Sequence, residues 1–419
     1  MAEPHVTRPV DAVVDVAIVG GGLVGASLAL ALAQSPLRVM LIEAAAHDST
    51  GQPSFDERTT ALGNASRRIF AALGTWETMA RAAQPIETIH VSEAGRFAFA
   101  RLRCAEQGIE AFGYVVPNRM IGAALWEALG ARQGGAERLA IRVPATAEAV
   151  VLEPERARLT VMAPGRHETI EAKLIVAADG AHSVIRAAAG IEAAALDYAQ
   201  TAIVTRVLTD RAHDATAYER FTPSGPIAVL PLRSGGFGVV WAVEPPRAAE
   251  LLALSDEDFL SSLQDHFGWR AGRFVRLGAR VSYPLKLSRA HTTVGLRSVL
   301  IGNAAQALHP VAGQGFNLGL RDAALLAEVL AAAPEDVGAA AVLEQFAERR
   351  AEDRAGVVGF TDRLVRTFAD ARLPVRLLRD LGLLLFDVTP PAKRALARVS
   401  LGFGGPTPRL ARGLRLLPP

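Results

Sequence analysis

Three glycines and one acid near the start of the chain have the types and spacing needed to hold a diphosphate. Gly20-Gly-Gly-Leu-Val-Gly25 follows a short apolar run, and Glu43 stands 18 positions beyond the last glycine. In such a unit Gly20 permits a tight turn, Gly22 lets the backbone approach a pyrophosphate, and Gly25 lets a helix pack closely on a strand. The helix that begins there offers free N–H groups and a partial positive charge to the anion. An acid ending the next strand accepts hydrogen bonds from ribose hydroxyls, although it would also serve as a plain strand cap. This is dinucleotide chemistry, and by itself it does not choose between FAD and NAD.

Two later segments narrow the choice. Asp179-Gly180-Ala-His182-Ser183 follows a strand expected at residues 173–178, and Gly302-Asn303-Ala-Ala-Gln-Ala-Leu-His309-Pro310 follows another at 298–301. Taken alone, the first is a turn-forming Asp-Gly pair. Pro310-Val-Ala-Gly313-Gln-Gly315-Phe-Asn317 then leads into an apolar, periodic helix at residues 316–332. A glycine turn capping a helix is the plain reading; its backbone N–H groups would also face negative charge beyond the helix end.

Taken in this order and at these separations, the segments resemble the fingerprints of group A FAD-dependent aromatic monooxygenases, the family with the para-hydroxybenzoate hydroxylase fold. Within it the chain is most similar to the ubiquinone-biosynthesis hydroxylases, above all to the 2-polyprenyl-6-methoxyphenol hydroxylases. Residues 55–62, 218–226, 267–270 and 302–322 carry that likeness, which runs from about Asp15 to the last hundred residues.

The resemblance implies FAD, with its pyrophosphate at Gly20, Gly22 and Gly25 and its ribose at Glu43. It implies Asp179 near the pyrophosphate, in contact with both FAD and NAD(P)H. Arg58 matches a family arginine by the pyrophosphate, and Asn118 matches a cofactor contact that Arg119 would alternatively supply. Asn303 stands where the family usually has an Asp on the ribityl chain; its amide oxygen still accepts a hydroxyl but carries no charge. Gly313, Gly315 and Asn317 match the loop that stabilises charge on reduced flavin. The implied reaction uses O2 and NAD(P)H, or another electron donor, to place one oxygen atom of a flavin C4a-hydroperoxide on a polyprenylated phenol. Pro310 would orient the phenol through its backbone, and His309 is a candidate for assisting its deprotonation against the plainer reading of a structural histidine. No metal is required. A FAD-dependent reductase or dehydrogenase of a prenylated substrate, and a cofactor-bearing assembly subunit of a quinone-synthesis complex, are the competing readings.

The elements that must position these residues follow from periodicity. A strand at residues 15–19, a helix at 26–34 and a strand at 38–43 form a βαβ unit. Between residues 199 and 283 short alternating runs separated by turn residues read as an antiparallel sheet, where Tyr218, Arg220, Phe221, Trp241 and Tyr283 are candidates to line a pocket or to be core. The expected architecture is α/β, a Rossmann-like FAD-binding domain with an inserted antiparallel β-sheet substrate domain and a C-terminal helical region. The FAD-binding domain is expected at 1–75, 112–190 and 285–345, the substrate domain at 76–111 and 191–284, and the helical region at 346–419.

Bulk properties exclude other classes. The 45 basic and 43 acidic residues nearly cancel, so no field favours nucleic acid, and half of the 419 residues are hydrophobic, enough for a large core. Cys104 is the only cysteine, which rules out an intramolecular disulfide and a cysteine-rich metal site and suits a reducing compartment. The acidic N terminus does not read as a secretory signal. Residues 16–33 carry no charge, but their three consecutive glycines suit a strand and turn rather than a membrane span. A cytoplasmic protein is expected. Residues 363–419 hold many more Lys and Arg than Asp and no Glu, and residues 373–386 are apolar with basic residues interspersed. Such a stretch suits the inner face of an anionic membrane or a partner complex, as well as packing on the FAD-binding domain. If it meets a membrane, deleting 363–419 abolishes co-sedimentation of the FAD-loaded protein with anionic vesicles; unchanged binding refutes that role.

Overall fold

A computed structural model describes residues 10–46, 58–96, 98–133, 138–308, 313–369, 389, 391, 393–394, 401–403, 405 and 407–417. Its first layer is an eight-stranded sheet in which Ser298–Leu300, Arg166–Ala177, Ala12–Val19, Val39–Ile42 and Leu139–Arg142 run parallel side by side. Val16, Ala17 and Ile18 are fully buried, because a parallel strand covered on both faces is a continuous apolar run. Helix Leu23–Leu32 starts directly after an extended Gly22, earlier than periodicity predicts, and is buried from Gly25 onward. It packs against helix Gln314–Ala332 on one side of the sheet.

The second layer is a nine-stranded sheet built around Ala193–Thr209, Thr216–Thr222, Gly225–Pro231, Phe237–Val243 and Val281–Ala290. It is antiparallel except where Thr216–Thr222 pairs parallel with Thr88–Glu93, a strand supplied from earlier in the chain. One face packs Trp241 and Phe237 against Phe259 and Phe267, which lie on helix Asp256–Phe267. The other face looks into a cavity. A three-stranded sheet of Thr59–Gly63, Gly113–Pro117 and Gln84–Ile86 stands beside it.

Helix Ala340–Ala369 is joined to Gln314–Ala332 by buried charge. Arg321 Nε donates to Asp353 at 2.8 Å, Arg350 bridges Asp353 and Asp322 with 2.6 Å to the latter, and Asp322 accepts from Gln306 Nε2 at 2.8 Å and from the Gly302 N–H at 3.3 Å. The Gly302 loop is thereby tied to both helices. Burial alone would raise the Asp353 pKa, but Arg321 and Arg350 outweigh it and hold the carboxyl below the ordinary carboxylate range. A depressed folded pKa means that this stabilisation is present above the unfolded value of about 3.9 and is lost as pH falls through the folded one. Asp353→Ala would leave two buried guanidinium groups without a shared partner, an expected loss of about 3–5 kcal/mol in urea denaturation.

Candidate functional site

The glycine turn is shaped by contacts that no side chain could share. Gly20 has φ +102°, and its N–H donates to the Ile42 carbonyl at 2.8 Å. A Cβ there would lie 2.4 Å from the Ala178 oxygen, and one on Gly25 would lie 1.9 Å from the Gly20 oxygen. Both approaches are far inside van der Waals contact. Glu43 accepts from the Gly21 N–H and, at 2.8 Å, from the Ala45 N–H, so it locks the turn as well as lining the cavity. Asp179 accepts from the Val184 N–H at 2.9 Å through Oδ2. Its Oδ1 is buried with no hydrogen-bond partner among the described residues. An acceptor-only oxygen suits a ligand hydroxyl, not a phosphate oxygen.

At the other end, Gly302 has φ +58° and opens the turn Gly302–Ala304, on which Asn303 is exposed to the cavity. Gly313, at φ +59°, caps helix Gln314–Ala332 without a side chain, so the helix N terminus with Gly315 faces the cavity directly. Asn317 has its side chain wholly engaged by protein: Nδ2 donates to the Ala61 and Gly313 carbonyls at 2.8 and 2.7 Å, and Oδ1 accepts from the Gly63 N–H and Ser66 Oγ at 2.9 and 2.6 Å. What it offers a ligand is the shape of the loop it clasps. The Arg58 guanidinium lies 4.8 Å over the Tyr283 ring, and the Arg58 carbonyl accepts from the Asn118 N–H at 2.8 Å. Asn118 lines the cavity and accepts from Thr60 Oγ1 at 2.7 Å, whereas Arg119 is exposed and outside the lining. His309 and Pro310 lie outside the described residues, as do residues 373–386.

Gly25 shapes the turn from behind and Arg119 lies outside, but Gly20, Gly22, Glu43, Arg58, Asn118, Asp179, Asn303, Gly313, Gly315 and Asn317 all border one cavity of about 1470 Å³ that runs from the glycine turn to the inner face of the nine-stranded sheet. Its contours fit FAD: a side-chain-free cradle with a helix N terminus, hydroxyl acceptors at Glu43 and Asp179, and a second helix N terminus at Gly313. Of the aromatic candidates, Tyr218, Phe221 and Tyr283 border the cavity, Tyr218 with its ring turned to the far side of the sheet. Trp241 is fully buried behind the sheet, the Tyr218 ring packs edge-on to Phe267 there, and Arg220 donates to the His266 carbonyl on that side. Strict alternation then turns Glu219 inward. That acid went unnoticed in the sequence because the conspicuous aromatic and basic neighbours on either side point away.

Residues 13–361 match the FAD binding domain family. The chain is also 39% identical over 424 aligned positions to ubiquinone hydroxylase UbiL of Rhodospirillum rubrum, covering 99% of this chain and 97% of that protein. The chain belongs to the FAD-dependent ubiquinone-hydroxylase family. Another relative in the family, 3-demethoxyubiquinol 3-hydroxylase of Escherichia coli, is 33% identical over 395 positions, 93% of this chain and 98% of that one. The solved structure of p-nitrophenol 4-monooxygenase from Pseudomonas putida shares the fold, with a TM-score of 0.77 at 18% identity over 94% of this chain and 99% of that one. The family's FAD thus meets, in this chain, a cradle that excludes side chains. Gly25→Ala is expected to reduce bound flavin to background, read as absorbance per protein. Gly130→Ala, on helix Asn118–Gln133 with nothing within 4 Å, should leave it unchanged.

Proposed function

We propose that this chain is a FAD-dependent monooxygenase that hydroxylates the aromatic ring of a polyprenylated phenol in ubiquinone biosynthesis. The observation that carries this reading is identity to ubiquinone hydroxylases along essentially the whole chain. The cavity supports it, since it continues past the flavin end of the cofactor site onto an apolar sheet face suited to a hydrophobic ring and tail. Bound FAD supplies the oxygen-activating redox chemistry, with NAD(P)H or another donor reducing it.

The protein's share is binding, orientation and exclusion of water. The Gly20–Gly25 turn cradles the pyrophosphate, Glu43 and Asp179 receive hydroxyls, and Asn303 meets the ribityl chain. Backbone N–H groups at Gly313 and Gly315 favour negative charge at the flavin end. Asn317 holds that loop in place, and Arg58, set on Tyr283, guards the junction between cofactor and phenol. The apolar sheet face keeps water from the reacting ring. The basic 363–419 region would bring the protein to an anionic membrane surface or a quinone-synthesis complex from the cytoplasmic side; among the described residues no helix is long and apolar enough to cross a membrane.

With 18O2, a reductant and 2-farnesylphenol, the purified FAD-loaded protein should produce a hydroxylated phenol containing one labelled oxygen atom per turnover. Reduction of the phenol's prenyl chain without O2 consumption would instead establish a reductase.

A further inference from the structure

The cavity has an arm that neither a dinucleotide nor a bare aromatic ring accounts for. Leu102 pairs with Ile89 and Ile89 with Ala217, and on the next two strands Leu230 pairs with Gly238; all five border the cavity. Ile86 and Phe112, held together by a hydrogen bond of 2.9 Å from the Phe112 N–H to the Ile86 carbonyl, border the same space and join Leu102 and Ala217 in one apolar cluster. No side chain along this arm can donate or accept a hydrogen bond. Charge begins only beside it, at Arg206, the partner of Gly238, and at Glu219 in the neighbouring row, and both of these are engaged within the protein.

The arm starts at the flavin loop and ends away from solvent. A Cβ on Gly238 would lie 3.1 Å from Thr59 Oγ1, and two residues further along that strand Ala61 stands 3.3 Å from a Cβ placed on Gly313. At the far end Leu102 is 1% exposed and Phe112 3%, whereas Val281, toward the opposite edge of the same sheet, is 44% exposed. The far wall is thickened by residues from near the C terminus. Leu401 belongs to the same cluster, with its carbonyl accepting from the Ala65 N–H at 2.9 Å, and Phe403 packs against it.

An arm of this kind rewards hydrocarbon and nothing else. A polar group entering it gives up hydration with no hydrogen bond in return, and water inside it finds no polar side chain to hold it. Each methylene buried there instead strengthens binding roughly fourfold. We propose that the arm takes the proximal isoprene units of the substrate's prenyl chain, which enter at Gly238 and run toward Leu102, so that the ring they carry is left facing the Gly313 loop. This rests on the reading that the substrate is a prenylated phenol. Ala217 sets the bore, since it is the small side chain between Ile89 and the Leu230 strand; a phenylalanine there fills the arm at a distance from the glycine turn.

The test compares 2-geranylphenol with 2-methylphenol on oxidised FAD-loaded wild type, A217F and V281F. Binding is read from the flavin absorbance change, and turnover with 18O2 and a reductant from labelled oxygen in the product. Wild type is expected to bind the geranyl compound at least about 100-fold more tightly. A217F should cut that preference to below about tenfold, with flavin content and 2-methylphenol affinity kept, and V281F at the open edge should retain it. Should A217F fail to load FAD, A217L carries the comparison. A wild type indifferent to the chain, an Ala217 variant that keeps the full preference, or loss of the preference in V281F alone overturns the assignment. A preference lost at Ala217 as expected, with no labelled product from wild type, would sink the hydroxylation reading and leave the prenyl-chain site standing.

Discussion

The contact between the Gly20 carbonyl and the backbone of Gly25 holds together everything that follows from it. It brings the first turn of helix Leu23–Leu32 onto the carboxyl ends of strands Ala12–Val19 and Arg166–Ala177, at a distance where a single methyl group would collide with main-chain oxygen. Only that proximity aims the helix N terminus at the cavity. Glu43 closes the turn from the neighbouring strand, so the acid that would meet a ribose also restrains the loop beside it.

A second constraint operates at the opposite end. The turn Gly302–Ala304 and the helix cap Gly313 are each held by a polar clasp. Asn317 gathers the Ala61, Gly63 and Gly313 backbone, while Asp322 binds the Gly302 N–H and is in turn held by Arg350. These clasps sit on one helix, Gln314–Ala332, so its placement sets both loops at once. The buried charges on helix Ala340–Ala369 contribute through that helix. Removing one leaves its partners desolvated without compensation, which explains why the pairing is networked rather than singular.

Between the two ends the nine-stranded sheet divides its side chains. One face builds a core around Trp241 and Phe267, and the other stays lined by Val and Ala beside the cavity. A packed face gives the sheet rigidity; an open face gives the ligand room. The Phe221–Phe368 stack joins the open face to the long helix, so the cavity wall draws on segments far apart in the chain.

The glycine turn, the strand and helix flanking it, the Asp179 and Gly302 segments and the alternating sheet were all legible in the sequence, because each depends on local periodicity or on a residue type needed at one backbone position. The chain's membership in a FAD-dependent family was legible for the same reason: its fingerprints are short and contiguous. Other features required the folded chain. Arg58 is placed on the Tyr283 ring, the Asn317 amide is spent on protein, and Asp353 joins two helices, because each partner lies far away in sequence. Which face of residues 216–222 meets the cavity was undecidable from alternation alone, since a period of two defines two faces without saying which is covered. Helix Asp256–Phe267 settled that by covering the Trp241 side and leaving Glu219 toward the ligand.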